Sequence, residues 1–449
     1  MLTLEWSHKK ESIEILVSSI FKFLAFLILL NNCSLDTKTR IWTDKKEIIS
    51  KKNIDTKLFT KEEPTNKQFN SQLKIKLNSK LINNSLVNNS SNNSGRVNYD
   101  GELKKISKFK FSKINNFKYN EPQLIFESDN LIFFDKKGSI IKFDSKSNII
   151  WKKNYYKKNE KKLKPFLIFG QNSETLIVAD DTSKYYAINL IDGNLLWSKY
   201  NSSPINSQIK THKDKFFMID FNNVLRCFSI KSGNELWNIK ASNSFIKSEK
   251  KLSVIVVNNV LYFNNSTGDI TAVEIATGKM LWQTPTQNST IYENTFLLQT
   301  SNIVANNEML IFSNNKNKFY SINLKTGGLN WTQKINSNLQ SSIVNDLIFT
   351  ITNEGYLTII DSKTGNIIRI TDIFSLIKNK KRKKINLVGF IVAKNNIYLT
   401  TSHGRLFIID IESGKTKSIL KIANNKISRP FILNENLFLI KDNSIIKLD

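Results

Sequence analysis

The sequence holds two cysteines, Cys33 and Cys227, in 449 residues. Two thiols so far apart build no disulfide framework, and Cys227, in the small-residue place of a repeat, reads as a buried structural thiol. Histidine is nearly absent: His8, His212 and His403 stand singly, with no metal-ligand spacing. No Gly-x-Ser-x-Gly motif is present to support serine hydrolysis. The only long apolar stretch, residues 23–30, is too short to span a bilayer. No helical period of useful length appears anywhere. Acids are outnumbered, 38 against 66 Lys and Arg, for a net charge of +28. Such a balance suits nucleic acid, an anionic membrane surface or an acidic partner. The lysines are spread through the chain, as a general bias toward Lys, Asn and Ile would spread them, and no nucleic-acid motif accompanies them.

What is present is a repeated phrase. Its clearest copy is Ala272-Val273-Glu274-Ile275-Ala276-Thr277-Gly278-Lys279-Met280-Leu281-Trp282. The elements are a small residue, an acid or amide two places on, then Thr, Ser or Asp, Gly, and Trp four residues after the Gly. Copies fall at Gly193 and Trp197, Gly233 and Trp237, and Gly327 and Trp331. At Gly365 and Gly414 the turn persists, but Arg369 and Ser418 occupy the Trp place; a shortened copy runs from Asp144 to Trp151. Physically the phrase is a β-hairpin. The acid or amide and the Thr or Ser bond the turn backbone, and Gly supplies the positive φ of a tight turn with a bulge. The Trp recurs at one geometric place, where it can bury its ring against the next unit and donate its N–H to a backbone carbonyl. The turn glycines at 193, 233, 278, 327, 365 and 414 are 38 to 49 residues apart, the period of a four-stranded propeller blade.

The last stretch, residues 436–449, closely matches residues 130–144. The chain therefore ends where a blade still needs its outermost strand, and the alternating segment near 105–114 can supply it. The expected fold is all-β: an eight-bladed β-propeller of four-stranded antiparallel blades over residues 104–449, its ring closed by an N-terminal strand.

The phrase resembles the quinoprotein-type (PQQ-like) propeller repeat. Residues 130–449 as a whole resemble the BamB-like lipoproteins of outer-membrane β-barrel assembly. The resemblance implies a non-enzymatic scaffold that binds the periplasmic domains of a BamA-like insertase through loops on one face and aids folding and insertion of outer-membrane proteins. Unfolded outer-membrane proteins would be further partners, met at exposed strand edges. It places the partner loop at residues 295–301, with Phe296, Leu297 and Leu298 as candidate contacts. Leu298 and Gln299 stand where the family carries Arg-Gly, and the same residues also read as an ordinary buried inner strand. Other propellers of this repeat type are quinone-dependent dehydrogenases, which need a central cofactor and Ca²⁺ held by carboxylate and amide oxygens. Here Glu274, Asp361 and Asp410 already serve their turns, and no separate acid cluster is evident. No catalytic residue, cofactor or metal is expected. A propeller of the cell envelope with an unrelated partner is the remaining reading.

Residues 1–33 read as an export signal: Lys9, Lys10 and Lys22 precede the apolar run. Leu30-Asn31-Asn32-Cys33 resembles a lipobox, which implies lipidation at Cys33 and an anchor on the periplasmic face of the outer membrane. Asn32 departs from the usual small residue, and an uncleaved inner-membrane anchor over residues 13–30 is the rival. Residues 34–103, rich in Asn, Ser and Lys, bury too little to offset chain entropy and read as a disordered tether. Two basic stretches, 155–164 and 378–384, read as solvated loops or as contacts for anionic lipid or an acidic partner.

Overall fold

Eight four-stranded antiparallel sheets follow one another along the chain. The computed structural model describes residues 34–35, 42–43, 67–86, 90–115, 117–240, 248, 250–286 and 298–449. Blade 1 comprises Ile125–Glu127, Asn130–Phe134, Ile140–Phe143 and Ile149–Lys153. Blades 2 to 7 span residues 167–200, 210–240, 254–284, 304–333, 342–372 and 387–421. Blade 8 takes Phe431–Leu433, Asn436–Ile440 and Ser444–Leu448 from the end of the chain and Lys105–Lys110 as its outermost strand. Lys110 lies opposite Ser444 and Phe109 opposite Ile445, so the ring closes as the repeat implied. Middle strands such as Leu347–Ile351 pack between two neighbouring blades and are buried along almost their whole length. Outer strands such as Leu195–Tyr200 are wet on one side and alternate. A second unit, Met1–Glu62, is described only where Ser34–Leu35 pairs with Trp42–Thr43. The signal expected at residues 1–33 lies outside the described residues.

Each tryptophan of the phrase joins its blade to the next. The indole N–H of Trp151 donates to the Ile191 carbonyl at 2.9 Å, that of Trp197 to Ile230 at 2.8 Å, and that of Trp237 to Ile275 at 3.1 Å. Trp282 reaches Leu324 at 3.1 Å and Trp331 reaches Ser362 at 3.0 Å. Every acceptor belongs to the hairpin turn of the following blade, and the ring lies flat on that turn's glycine. At Gly278, with φ +77°, a Cβ would stand 2.7 Å from Cδ2 of Trp237. The glycine thus meets two demands: a left-handed backbone and room for the preceding blade's indole.

Between blades 6 and 7 the joint is Arg369, fully buried. Its guanidinium donates to the carbonyls of Ile411 (2.9 Å), Glu412 and Leu73 (2.8 Å). Burial brings its pKa down to about 10. The third acceptor, Leu73, belongs to the stretch expected as a tether. Residues 67–86 and 90–103 do not stand off from the ring but form a strap across it. Phe69 pairs with Ile370 on the outer edge of blade 6. The strap then reaches the axis, where it bonds the innermost strands of five blades. Ser90 and Ser91 carbonyls accept from Val256 and Ala305, each at 3.0 Å; Asn93 bonds both backbone groups of Ile343; Val97 donates to Val392 at 2.9 Å; Ser85 donates to Ile432 at 3.0 Å. Val97 and Tyr99, both buried, then pack with Ile391, Tyr398, Ile432 and Leu448 between blades 7 and 8, the joint where Ser418 replaces the Trp. Buried Ile75, Val97 and Tyr99, together with hydrogen bonds to inner-strand edges that accept any chain reaching them, hold the strap despite its polar composition.

Truncating Arg369 to alanine removes its three carbonyl bonds and relieves one desolvated charge. The bonds outweigh the relief, because the Ile411 carbonyl stays buried and all three carbonyls lose a charge-assisted donor. Arg369→Ala is expected to lower stability by about 2 kcal/mol and to speed tryptic cleavage at Lys74 and Lys76 in the strap. Unchanged cleavage there would mean that Arg369 does not hold the strap.

Candidate functional site

The axis of the ring is a funnel of about 1850 Å³. It opens on the face of the inter-blade connections, and strap residues Asn84–Leu86, Ser90, Asn92 and Ser94 form its floor. Asn92 is buried and turns its amide toward Gln208, Ser253 and the Ile303 carbonyl at 3.0–3.1 Å. Blade symmetry explains the wall. Residues at or just before each innermost strand come together at the axis, however far apart in sequence. Those places hold Lys210, Lys250, Lys251, Lys384, Lys426 and Arg429, with Lys113 and Lys118 also in the lining. The acids of the lining are Glu121, which is exposed, and Asp442, which pairs with Lys113 at 3.2 Å.

Backbone carbonyls hold the ammonium groups in place. Lys250 donates to Thr300 (2.6 Å) and Asn338 (2.8 Å), Lys251 to Ile205 (2.7 Å), and Lys426 to Asn120 (3.1 Å). Arg429 reaches Gln340 at 2.6 Å and Ser94 at 3.3 Å, while its Nε is buried without an acceptor. Among the described residues none of these four pairs with a carboxylate within salt-bridge distance. Burial, reinforced by the Arg429 charge, lowers Lys210 to about 7. Burial lowers Lys251 to about 8 against the opposing pull of Asp181 and Asp180. Lys250, Lys426 and Arg429 are lowered by burial as well. Below pH 7 the folded and unfolded chains both carry the Lys210 charge, and folding bears the whole burial penalty. From about pH 7 up to the unfolded value near 10.4 the penalty lifts, so this contribution to stability rises with pH across that window. The same shift leaves a neutral amine at pH 8. Limiting acetic anhydride at that pH is expected to label Lys210 and Lys251 ahead of the exposed Lys380; peptide mapping showing the reverse order would contradict the depressed values.

A second surface lies on the rim. Outer strands of blades 1 to 5 each present apolar side chains next to the hairpin turn: Ile149 and Ile150, Leu195 and Leu196, Leu236, Met280 and Leu281, and Leu329, all 43–55% exposed. A repeating apolar band beside unpaired strand edges is the kind of surface that another chain can cover.

Of the residues singled out from sequence, Leu298 is half-buried, and Gln299 lines the funnel and accepts from Asn338 at 2.7 Å. Phe296, Leu297 and Cys33 lie outside the described residues. The two basic stretches contain short helices, Lys158–Lys162 and Asn379–Arg382. In them Glu160 faces Lys184, and Arg382 pairs with Asp372 at 2.8 Å. Cys227 is buried and its thiol is pushed up to about 12, far from thiolate chemistry. His212 bonds Asn259 and His403 bonds Ser402. Among the described residues no three His, Cys, Asp or Glu side chains are placed to hold a metal ion, and no helix is long and apolar enough to cross a membrane. Neither the funnel cations nor the strap was found by sequence reasoning. The signal available was a basic residue at or just ahead of the first strand of blades 3, 4, 7 and 8.

Fold, joints and repeat define an eight-bladed propeller of the PQQ type. The family model described as outer membrane protein assembly factor BamB matches residues 124–371, more than half of the chain. The chain belongs to that family. An uncharacterized protein of Rickettsia prowazekii is 21% identical over 385 residues, 72% of this chain and 91% of that protein. Outer membrane protein assembly factor BamB of Moranella endobia is 20% identical over 267 residues, 59% of this chain and 66% of that protein. Among solved structures, BamB from Moraxella catarrhalis superposes with a TM-score of 0.64 at 14% identity, covering 77% of this chain and 99% of that one. A europium-containing methanol dehydrogenase reaches 0.62 at 10% identity, covering 80% of this chain and 89% of that one. These likenesses establish the fold. The funnel does not fit the metal of such an enzyme: among the described residues its wall presents eight cationic side chains and two acids, one already paired.

Proposed function

We propose that this propeller is a non-enzymatic scaffold of outer-membrane protein assembly that holds the periplasmic part of a β-barrel insertase in a productive arrangement. The observation that carries the reading is the match of the BamB family model across blades 1 to 6. The apolar rim supports it, because a scaffold needs a face that a partner can cover. The cationic character of the described funnel wall, a poor match for a Ca²⁺-dependent cofactor, supports the non-enzymatic part. In this reading Cys33 carries the lipid, the protein sits at the periplasmic face of the outer membrane, and Phe296, Leu297 and Leu298 belong to the docking loop. The test is a mild-detergent pull-down of the tagged full chain from membranes, with mass spectrometry. A β-barrel insertase in the eluate, lost when those three residues are changed to Asn, supports scaffold and loop together. An eluate without an insertase, from a chain that is still membrane-bound, overturns the assembly role.

A further inference from the structure

We propose that the funnel is a binding site for an extended acidic peptide segment of a partner protein. The inference stands without the assembly reading, because it rests on the funnel alone. Its first support is charge. Lys250, Lys251, Lys426 and Arg429 project into one concavity from blades 4 and 8, held by carbonyl and amide groups rather than by carboxylates. Concave low-dielectric walls strengthen the field of such a cluster, and carboxylates are the counter-charge a protein partner supplies.

Size is the second support. At about 1850 Å³ the space exceeds the roughly 300–1,000 Å³ of small-molecule pockets, so a length of chain suits it better than a small anion. Third, the protein itself shows the binding mode. The strap lies across the same axis as irregular chain, bonding inner strands of five blades through Ser85, Ser90, Ser91, Asn93 and Val97. Above that floor the wall carries Gln123, Gln299, Asn302, Asn338 and Gln340. Amide side chains both donate and accept, as a peptide backbone requires, and the lysines stand between them to receive acidic side chains.

The experiment measures fluorescence anisotropy of a labelled peptide of alternating Glu and Ser against the full chain. A Gln-for-Glu peptide, inorganic tripolyphosphate and phosphatidylglycerol vesicles serve as alternatives. The acidic peptide should bind, its affinity should fall with salt, and Lys250→Gln, Lys251→Gln and Arg429→Gln together should weaken it by about tenfold or more. Lys231→Gln, Lys279→Gln and Lys325→Gln, exposed in hairpin turns of the opposite face, should leave it unchanged. Equal binding of the Gln peptide overturns the proposal, as does equal binding by the funnel variant. Binding of tripolyphosphate or vesicles without binding of the acidic peptide also overturns it, in favour of a phosphate or membrane site. Should the funnel variant fail to fold, the wild-type chain still decides: bound peptide must protect Lys210 and Lys251 from acetylation, and unprotected lysines sink the idea.

Discussion

Valine at position 278 is expected to lower the unfolding free energy by about 3 kcal/mol or more. Two effects of similar size add. A β-branched residue at φ +77° is strained by roughly 1–3 kcal/mol. The new Cβ would also stand 2.7–3.0 Å from three atoms of the Trp237 ring, which must lift off the turn and give up its bond to the Ile275 carbonyl. The two effects separate in a cycle with Trp237→Ala. In that background the steric share disappears and only the backbone share remains, so Gly278→Ala should cost less there than in the wild type. Thermal unfolding followed by tryptophan fluorescence gives the answer. An unchanged midpoint for Gly278→Val would show that the turn tolerates a side chain and that the indole is not seated on it.

Removal of residues 67–110 is expected to turn the protein into aggregating material. Phe109, 1% exposed, packs edge-on against Phe143 at a centroid distance of 5.6 Å, so its loss opens blade 8 toward blade 1. Without Lys105–Lys110 the edge of Ser444–Leu448 is bare, an invitation to pair with another copy. A shorter deletion, residues 67–97, keeps the closing strand and removes the floor of the funnel and the Leu73 acceptor of Arg369. It should melt earlier but stay monomeric. Size-exclusion chromatography with light scattering distinguishes the two. A monodisperse, equally stable product of the longer deletion would mean that the ring is closed by something other than residues 105–110.

The propeller was legible because its information is local and repeated. A glycine with a tryptophan four places later says how one blade docks on the next, and the likeness of residues 436–449 to 130–144 says that the last blade is short of a strand. The strap was not legible, for a physical reason. Ser90, Ser91 and Asn93 are held through hydrogen bonds to strand edges that exist only once the ring has formed, so no apolar period marks them. One residue did carry a trace: a buried arginine in a tryptophan place needs carbonyl acceptors, and Arg369 finds one of them at Leu73. The funnel escaped for the opposite reason. Lys210, Lys251 and Arg429 are ordinary surface-type residues in sequence, and only the rotation from blade to blade turns them toward one axis.

The path of the strap also decides how mechanical load enters the molecule. A pull from the amino-terminal side meets, in order, the paired backbone of Phe69 and Ile370, the guanidinium of Arg369 on Leu73, and the hydrogen bonds at the axis, before it reaches Lys105–Lys110. Each of these attachments lies ahead of the closing strand along the chain. The strap is therefore a strain relief. Tension is shared across blades 4 to 8 through small, reversible contacts, and the one pairing on which the ring's integrity depends is the last to feel it.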